Sequence, residues 1–420
     1  MIIKNGLLID PVKEMTYVAD LKISGGKIAE IAENIAAAEG EKVIDAARKC
    51  VAPGLIDGHV HFRDPGLTYK EDIHTGALSA AAGGFTTVIC MANTKPVVDS
   101  VETLQYVLEK GKDEKINVLQ AGAVSVGFKG EELTDFEALL AAGATGLTDD
   151  GIPLKEEAFV RRAMEKAKAL DVVLSFHEED PAFITNNGVN KGKASEFYGI
   201  GGSPEEAEIS LVKRDCELAK EIGAKINVQH ISSGKAVDLI RQAKAAGAKV
   251  YSEATPHHFT LTEEACIKHG TLAKMNPPLR TEEDRLAIIK GLQDGTIDMI
   301  ATDHAPHSVE EKAKSITEAP SGIIGLETSL ALGITSLVKP GHLSLVDLIK
   351  KMAFNPARIY GLDKGTLNVG KDADLVIFDA EKCWTPKDYY SKAVNTPFTG
   401  TELFGEVCMT ICGGKIAFQR

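Results

Sequence analysis

The chain has 420 residues, of which 44% are hydrophobic and 25% charged, a composition typical of a globular protein with a large buried core. Its formal net charge of −13 argues against nucleic acid as the main partner, and it means that any anion site must be built locally. The sequence shows neither a membrane-spanning apolar run nor a signal-peptide pattern, so we expect no membrane partner and a cytoplasmic location.

Short strands with glycine turns mark both ends of the chain. Residues 18–31 predict a strand, a turn at Gly25-Gly26 and a second strand, because paired glycines accept the positive φ angles of tight hairpins. Residues 411–417 repeat this pattern around Gly413-Gly414. The similarity of the two ends predicts one small β-sandwich domain, built from residues 1–52 and residues 363–420.

Between these ends, apolar strands alternate with amphipathic helices. Predicted strands begin near residues 55, 87, 116, 146, 172, 226, 249 and 298, and helical segments such as 156–170 and 235–246 follow them. Ser203-Pro204-Glu205-Glu206 predicts a helix start with Ser203 as the N-cap. The alternation predicts an α/β fold with a closed (β/α)₈, TIM-like barrel over residues 53–362. An open doubly wound sheet is the alternative, but its Gly-rich turn after the first strand is missing.

Side chains of the kinds that bind metals fall at the carboxyl ends of the predicted strands, where barrel enzymes carry their chemistry. His59 and His61 are two residues apart on the first strand, so their side chains point to the same face. The later strands end, in order, at Asn93, at Asp149 and Asp150, at His177, at His230 and at Asp303.

Four histidines and two carboxylates suit two metal ions that share a bridging group. By strand position, the two ligand groups are His59, His61 and Asp303, and His177 and His230. Neighbouring strand residues face opposite ways, so only one of Asp149 and Asp150 can be the bridge, and the pattern leaves that choice open. Imidazole and carboxylate ligands fit Zn²⁺, with Mn²⁺ or Co²⁺ as alternatives.

Motifs along essentially the whole chain resemble those of the dihydroorotases of the amidohydrolase superfamily, in their bacterial long-chain type. The motifs are residues 53–66, 91–94, 148–151, 175–177, 229–232, 255–258, 274–280, 301–307 and 369–376. The resemblance implies reversible cyclisation of N-carbamoyl-L-aspartate to L-dihydroorotate in de novo pyrimidine (UMP) biosynthesis. It also implies a zinc-dependent cyclic amide hydrolase that attacks with a metal-bridged hydroxide.

The resemblance assigns roles to individual residues. It implies two Zn²⁺ ions, one bound by His59 and His61 and the other by His177 and His230, with Asp150 as the bridge. Asp303 matches the metal ligand that also acts as the catalytic acid and base. The residues that match substrate-binding positions are Arg63, Asn93, Asn276, His307, Ser321 and Gly322. Family members commonly carry Phe at the position of Ser321, so we expect a contact through the backbone there.

Two alternative functions are also considered. Hydantoinases, dihydropyrimidinases and allantoinases open similar cyclic amides, but as a rule they bridge their metals with a carboxylated lysine where this chain has an Asp. A non-catalytic, dihydroorotase-like partner of aspartate carbamoyltransferase is the other alternative, and the intact ligand set argues against it. For the chain itself we expect a small-molecule substrate, a homodimer and possible association with aspartate carbamoyltransferase. The long connection 305–325 is a candidate lid over bound substrate.

Overall fold

The computed structural model describes all 420 residues. The strands, in chain order, are β1 (Ile2–Asp10), β2 (Met15–Ser24), β3 (Lys27–Ala32), β4 (Val43–Asp45), β5 (Cys50–Pro53), β6 (Leu55–Val60), β7 (Phe85–Cys90), β8 (Asn117–Gln120), β9 (Leu147–Thr148), β10 (Leu174–Phe176), β11 (Ile226–Val228), β12 (Val250–Ala254), β13 (Met299–Ile300), β14 (Leu375–Trp384), β15 (Leu403–Cys412) and β16 (Lys415–Gln419).

The α-helices lie mainly between the strands of the central part of the chain. They are α1 (Ile73–Ala82), α2 (Val101–Gly111), α3 (Phe136–Ala141), α4 (Glu157–Ala169), α5 (Lys193–Tyr198), α6 (Glu206–Ile222), α7 (Gly234–Ala245), α8 (Pro256–Thr260), α9 (Glu263–His269), α10 (Glu282–Asp294), α11 (Val309–Lys312), α12 (Ser329–Gly333), α13 (Leu345–Ile349) and α14 (Asn355–Ile359). None of the helices combines the length and the apolar character that crossing a bilayer requires.

Strands β6 to β13 form the barrel. β6, β7 and β8 pair in chain order, as do β9 to β13, and all these pairs are parallel. Single parallel bridges between Gly122 and Leu147 and between Val60 and His304 join the two groups at both edges. At least one α-helix lies between each two consecutive strands. The predicted (β/α)₈ barrel is therefore confirmed.

Local signals explain several helix limits. The helices predicted over 156–170 and 235–246 are α4 and α7, and the Ser233 side chain caps α7 by accepting hydrogen bonds from backbone amides. The predicted N-cap at Ser203 is wrong, because α6 begins only at Glu206. The Ser203 amide instead donates to the Val189 carbonyl at 2.7 Å, and its hydroxyl donates to Glu179 Oε1 at 3.4 Å. Tertiary contacts thus replace the cap.

The two ends of the chain share one sheet, in the order β16-β15-β14-β5-β1-β2-β3, with β4 paired to β1. Its halves enclose a small core of their own, to which Leu21 and Ile28 contribute from one end of the chain and Ile377 and Ile411 from the other. The two predicted glycine hairpins meet at their turns. A Cβ on Gly26 would lie 3.0 Å from the Gly413 carbonyl oxygen, so this approach requires glycine.

A larger core contains residues of the barrel strands and helices, and it continues into the terminal sheet through Val376, Phe378 and Phe418. We propose two domains, with the small β-domain contributed by residues 1–52 and 363–420 and the barrel by residues 53–362.

Candidate metal centre and active site

The six predicted metal ligands lie together at the carboxyl ends of five barrel strands. His59 is on β6 and His61 directly follows it. The other four come one to three residues after β9, β10, β11 and β13: Asp150, His177, His230 and Asp303. Two of the six, His230 and Asp303, have positive φ angles of 33° and 48°, a conformation that costs energy and is concentrated at functional sites.

Asp150 lies between two pairs of histidines. Its Oδ1 is 3.3 Å from His59 Nε2, and its Oδ2 is 3.4 Å from His61 Nε2. The same Oδ1 is 3.7 Å from His177 Nδ1 and 3.6 Å from His230 Nε2. The structure therefore contains two three-residue groups with ligand geometry, and they share one carboxylate.

Asp303 closes the site from the last barrel strand. Its Oδ1 lies 3.0 Å from His61 Nε2 and 3.5 Å from His59 Nε2. Burial alone would raise the pKa of this carboxyl, but the hydrogen bond with His61 and the electrostatic interaction with His59 hold the pKa below its ordinary value. Asp303 is thus an ionised carboxylate at the floor of the cavity.

Outer partners orient three of the histidines. His59 Nδ1 donates to Glu253 Oε1 at 2.6 Å, His61 Nδ1 donates to Asn93 Oδ1 at 2.9 Å, and His177 Nε2 donates to Glu179 Oε2 at 3.1 Å. In a neutral ring, each of these bonds leaves the other ring nitrogen as a lone pair. The sequence analysis missed Glu253 and Glu179. A signal for both was present, since Glu253 is the last residue of a predicted strand and Glu179 lies two residues after His177.

The chemistry of these side chains fits divalent cations. His177 Nδ1 and His230 Nε2 are 2.9 Å apart, and both lie within 3.7 Å of Asp150 Oδ1. His59 Nε2 and Asp150 Oδ1 are buried without any hydrogen-bond partner. Buried lone pairs that converge in this way are unfavourable unless a cation lies among them. The residues present therefore fit the implied metals.

The structure separates the two neighbouring carboxylates after β9. Asp149 Oδ1 accepts hydrogen bonds from the amides of Val124 at 2.7 Å and Ser125 at 3.0 Å, and the Ser125 hydroxyl also donates to its carboxylate. Asp150 faces the histidines. Burial raises the pKa of Asp149 to about 6, in part opposed by these hydrogen bonds. Asp149 thus holds the loop after β8, and only Asp150 faces the ligand groups.

A cavity of about 380 Å³ opens above the ligands, and most of the residues that line it are polar or charged. All six predicted substrate-binding residues line it: Arg63, Asn93, Asn276, His307, Ser321 and Gly322. Five of the six predicted metal ligands line its floor, and His59 lies buried beneath them. Lys274 and Asn187 also line the wall and were not singled out from the sequence.

One wall of the cavity is positively charged. Arg63 is half-buried and forms no ion pair, and its Nε donates only to the Pro306 carbonyl at 3.3 Å. Lys70 Nζ donates to His307 Nδ1 at 3.2 Å, so His307 Nε2 carries the proton and donates to the Ser321 carbonyl at 2.8 Å. Burial and the nearby charge of Arg63 lower the pKa of His307 to about 2. The wall therefore combines an unpaired guanidinium with a neutral imidazole.

Comparison with known proteins identifies the family. The Dihydro-orotase-like family model matches residues 48–236, and the Amidohydrolase family model matches residues 292–418. A dihydroorotase of Clostridioides difficile is 57% identical over 419 residues, which cover 100% of both chains. The chain belongs to the dihydroorotase family. A dihydroorotase of Clostridium acetobutylicum is 52% identical, over 100% of this chain and 99% of that protein.

Among solved structures, this dihydroorotase family member resembles hydantoinases in fold. The L-hydantoinase (dihydropyrimidinase) of Arthrobacter aurescens has a TM-score of 0.89 at 28% identity, over 99% of this chain and 95% of that one. The D-hydantoinase (dihydropyrimidinase) of a Thermus species has a TM-score of 0.86 at 27% identity, over 100% and 95% of the two chains. This chain and the two hydantoinases thus share one architecture.

Proposed function

We propose that this protein is a metal-dependent dihydroorotase that interconverts N-carbamoyl-L-aspartate and L-dihydroorotate in pyrimidine biosynthesis. The observation that carries the proposal is the position of the unpaired Arg63 in the same cavity as the two ligand groups that share Asp150. A half-buried guanidinium that lines the cavity without a carboxylate partner favours a substrate that keeps a carboxylate beside the reacting amide. The full-length relatives named dihydroorotase support the same conclusion.

We propose Zn²⁺ as the metal, with two ions per chain. His59, His61 and Asp303 would hold one ion and His177 and His230 the other, with Asp150 between them. When bound, such ions lower the pKa of water and polarise an amide carbonyl. The bonds from Glu253, Asn93 and Glu179 would keep the histidine nitrogens aimed at the ions.

Asp303 would move the proton. Its Oδ1 is held by His61, whereas its Oδ2 accepts no hydrogen bond from the protein. In hydrolysis, Oδ2 takes a proton from the water that attacks the ring amide carbon. The carbon–nitrogen bond then breaks, and Asp303 gives the proton to the departing nitrogen. In the biosynthetic direction the same proton returns from the nitrogen to the water that leaves.

The charged wall would bind the substrate carboxylate that takes no part in the reaction. Arg63 can make two parallel, charge-assisted hydrogen bonds to it, and His307 Nε2–H can turn from the Ser321 carbonyl to donate a third. Asn93 and Asn276 supply amide groups on the same cavity wall. Because this carboxylate is unchanged by the reaction, these contacts mainly determine KM.

Hydantoinase activity is the second candidate, since hydantoinases are close structural neighbours. A substrate panel of L-dihydroorotate, dihydrouracil and hydantoin separates the two. We expect the zinc-loaded protein to hydrolyse dihydroorotate and to leave the two uncharged rings nearly untouched. We expect Arg63→Met to raise KM for dihydroorotate by about 10- to 100-fold, as for the loss of a charged pair worth roughly 1.5–3 kcal/mol. Turnover of dihydrouracil or hydantoin without turnover of dihydroorotate would contradict the proposal.

Homodimer formation and association with aspartate carbamoyltransferase remain predictions, as does the cytoplasmic location that we expect from the sequence pattern. Analytical ultracentrifugation of the protein alone, and then together with that enzyme, measures both associations.

A further inference from the structure

The segment that follows Asp303 carries two parts of the cavity wall, and both are held from outside the cavity. His307 is on its first part, and Ser321 and Gly322 are on its last part. Thirteen residues separate His307 from Ser321 in the chain, and the two parts share a backbone hydrogen bond from the Ala305 amide to the Ile323 carbonyl at 2.8 Å. The spacing between His307 and Ser321 also depends on side chains that form hydrogen bonds with both parts.

One side chain outside the cavity joins both parts. Asn395 Oδ1 accepts a hydrogen bond from the His307 amide at 3.1 Å. Its Nδ2 donates to the Ala305 carbonyl at 3.1 Å and to the Gly322 carbonyl at 3.1 Å. The side chain is buried, and its hydrogen-bonding groups are used on three backbone groups of the wall. Asn395 does not itself line the cavity.

The segment around Asn395 is itself anchored to the barrel. The Ser391 amide donates to Glu327 Oε1 at 3.1 Å, and the Lys392 amide donates to Glu71 Oε1 at 3.1 Å. The Asn395 carbonyl accepts a hydrogen bond from the Ile324 amide at 3.0 Å. Hydrogen bonds of the preceding residues and of its own carbonyl therefore hold Asn395 in place, which a positioning residue requires.

A second buried side chain, Lys312, also contacts the last part of the wall. Lys312 Nζ donates to the carbonyls of Pro320 at 2.9 Å and Gly322 at 3.0 Å, and it forms no ion pair. Gly322 has a φ of +114°, and a Cβ there would lie 2.6 Å from the Ala305 Cβ. The two parts of the wall therefore touch where Asn395 and Lys312 hold them.

We propose that Asn395 is a positioning residue for substrate binding, which sets the spacing between His307 and the Ser321–Gly322 backbone, with Lys312 supporting the same contact. The inference rests on the proposed function, because it assigns the substrate carboxylate to this wall. Its consequence is specific to binding. Loss of Asn395 loosens the wall that contacts the unreactive carboxylate and leaves the metal ligands and Asp303 in place, so KM changes and kcat does not.

The test compares Asn395→Ala and Asn395→Asp with matched controls in the zinc-supplemented full chain. Asn355 and Lys351 are also buried, and they donate to the carbonyls of Asp298 and Ile297 at the opposite end of β13. Asn355→Ala and Lys351→Met are thus controls for stability without a role in the site. We expect Asn395→Ala to raise KM for dihydroorotate about tenfold with kcat within about threefold, while the controls lower Tm but leave KM unchanged.

Asn395→Asp distinguishes hydrogen bonding from space filling. It keeps the shape but replaces the donor by a charged acceptor facing two carbonyls, so we expect a KM at least as high as that of Asn395→Ala. If Asn395→Ala does not fold, Lys312→Met is expected to raise KM in the same direction, against Lys351→Met. A KM within about twofold of wild type in Asn395→Ala and Asn395→Asp, or in Lys312→Met if those do not fold, overturns the inference.

The failure of the proposed function gives a different result. If the wild-type protein does not hydrolyse dihydroorotate, the proposed function fails, and amide hydrogen exchange of residues 303–325 decides the inference instead. Faster exchange there in Asn395→Ala than in Asn355→Ala supports the positioning role. Equal exchange in the two variants overturns it.

Discussion

Asp149 and Asp150 are adjacent in the chain but face opposite sides of it. Asp149 accepts backbone hydrogen bonds from Val124 and Ser125, and Asp150 lies among the histidines. From the sequence, strand alternation could show that only one of them enters the site, and the choice of Asp150 came from family resemblance. The structure adds a physical reason why Asp149 faces away from the histidines. The backbone amides of the loop after β8 need hydrogen-bond acceptors, and Asp149 supplies them.

The different positions of Asp149 and Asp150 predict different effects of their substitution on metal content. We expect Asp150→Asn to lose most of the bound metal, because the amide replaces the carboxylate shared by both ligand groups. Asp149→Asn is expected to keep its metal and to be destabilised by about 1–3 kcal/mol, the cost of disturbing a buried acceptor. Metal analysis of the two purified variants, with urea unfolding of each, measures both effects. Metal loss in Asp149→Asn alone would show that the assignment is reversed.

At the scale of elements, the barrel strands are shorter than the sequence predicts. The fourth strand was expected over residues 146–150, whereas β9 contains only Leu147 and Thr148. The residues after each strand end belong to loops, and the curvature of these loops directs the ligand side chains toward the shared site. Glu253, by contrast, remains within β12 and reaches His59 directly. Strand order and strand ends could be predicted from periodicity, but the curvature after each end depends on contacts that are distant in sequence.

The Glu327 carboxyl group joins α1 to the chain that leads to β15. Glu327 Oε1 accepts hydrogen bonds from the Ser79 hydroxyl at 2.9 Å and from the amides of Tyr390 at 2.9 Å and Ser391 at 3.1 Å. Burial raises the pKa of Glu327 from 4.5 to about 7, although these bonds oppose the shift. Between these two pH values the folded state keeps a proton that the unfolded state releases, so its contribution to stability falls as the pH rises.

We therefore expect Glu327→Gln to stabilise the protein at pH 8 by up to about 3 kcal/mol, with no gain at pH 4.5. Glutamine keeps an oxygen acceptor at Oε1 and carries no charge at any pH. Urea unfolding of wild type and variant across this range, at constant zinc concentration, measures the difference. Glu217→Gln, at an exposed position, is the control. A difference between wild type and Glu327→Gln that does not change with pH would contradict the assigned cause.

At the scale of the whole molecule, the sequence could predict the barrel, the shared sheet of the two chain ends and the ligand set. The echo between the Gly25-Gly26 and Gly413-Gly414 hairpins was enough to pair the ends. The sequence could not predict that the segment before β15, which contains Asn395, supports the active site. The bonds of Asn395 to His307 and Gly322 join residues more than seventy positions apart and have no periodic signal.

The central claim is that the site hydrolyses a cyclic amide with Asp303 as the proton carrier. The most direct measurement is kcat for L-dihydroorotate hydrolysis by zinc-loaded wild type and Asp303→Asn, with metal content determined on the same samples. We expect measurable turnover by the wild type. In the variant we expect kcat to fall by a factor of about 10²–10⁴, because that is the usual contribution of a general acid–base group. A variant that binds metal and turns over dihydroorotate within a few-fold of wild type would contradict it.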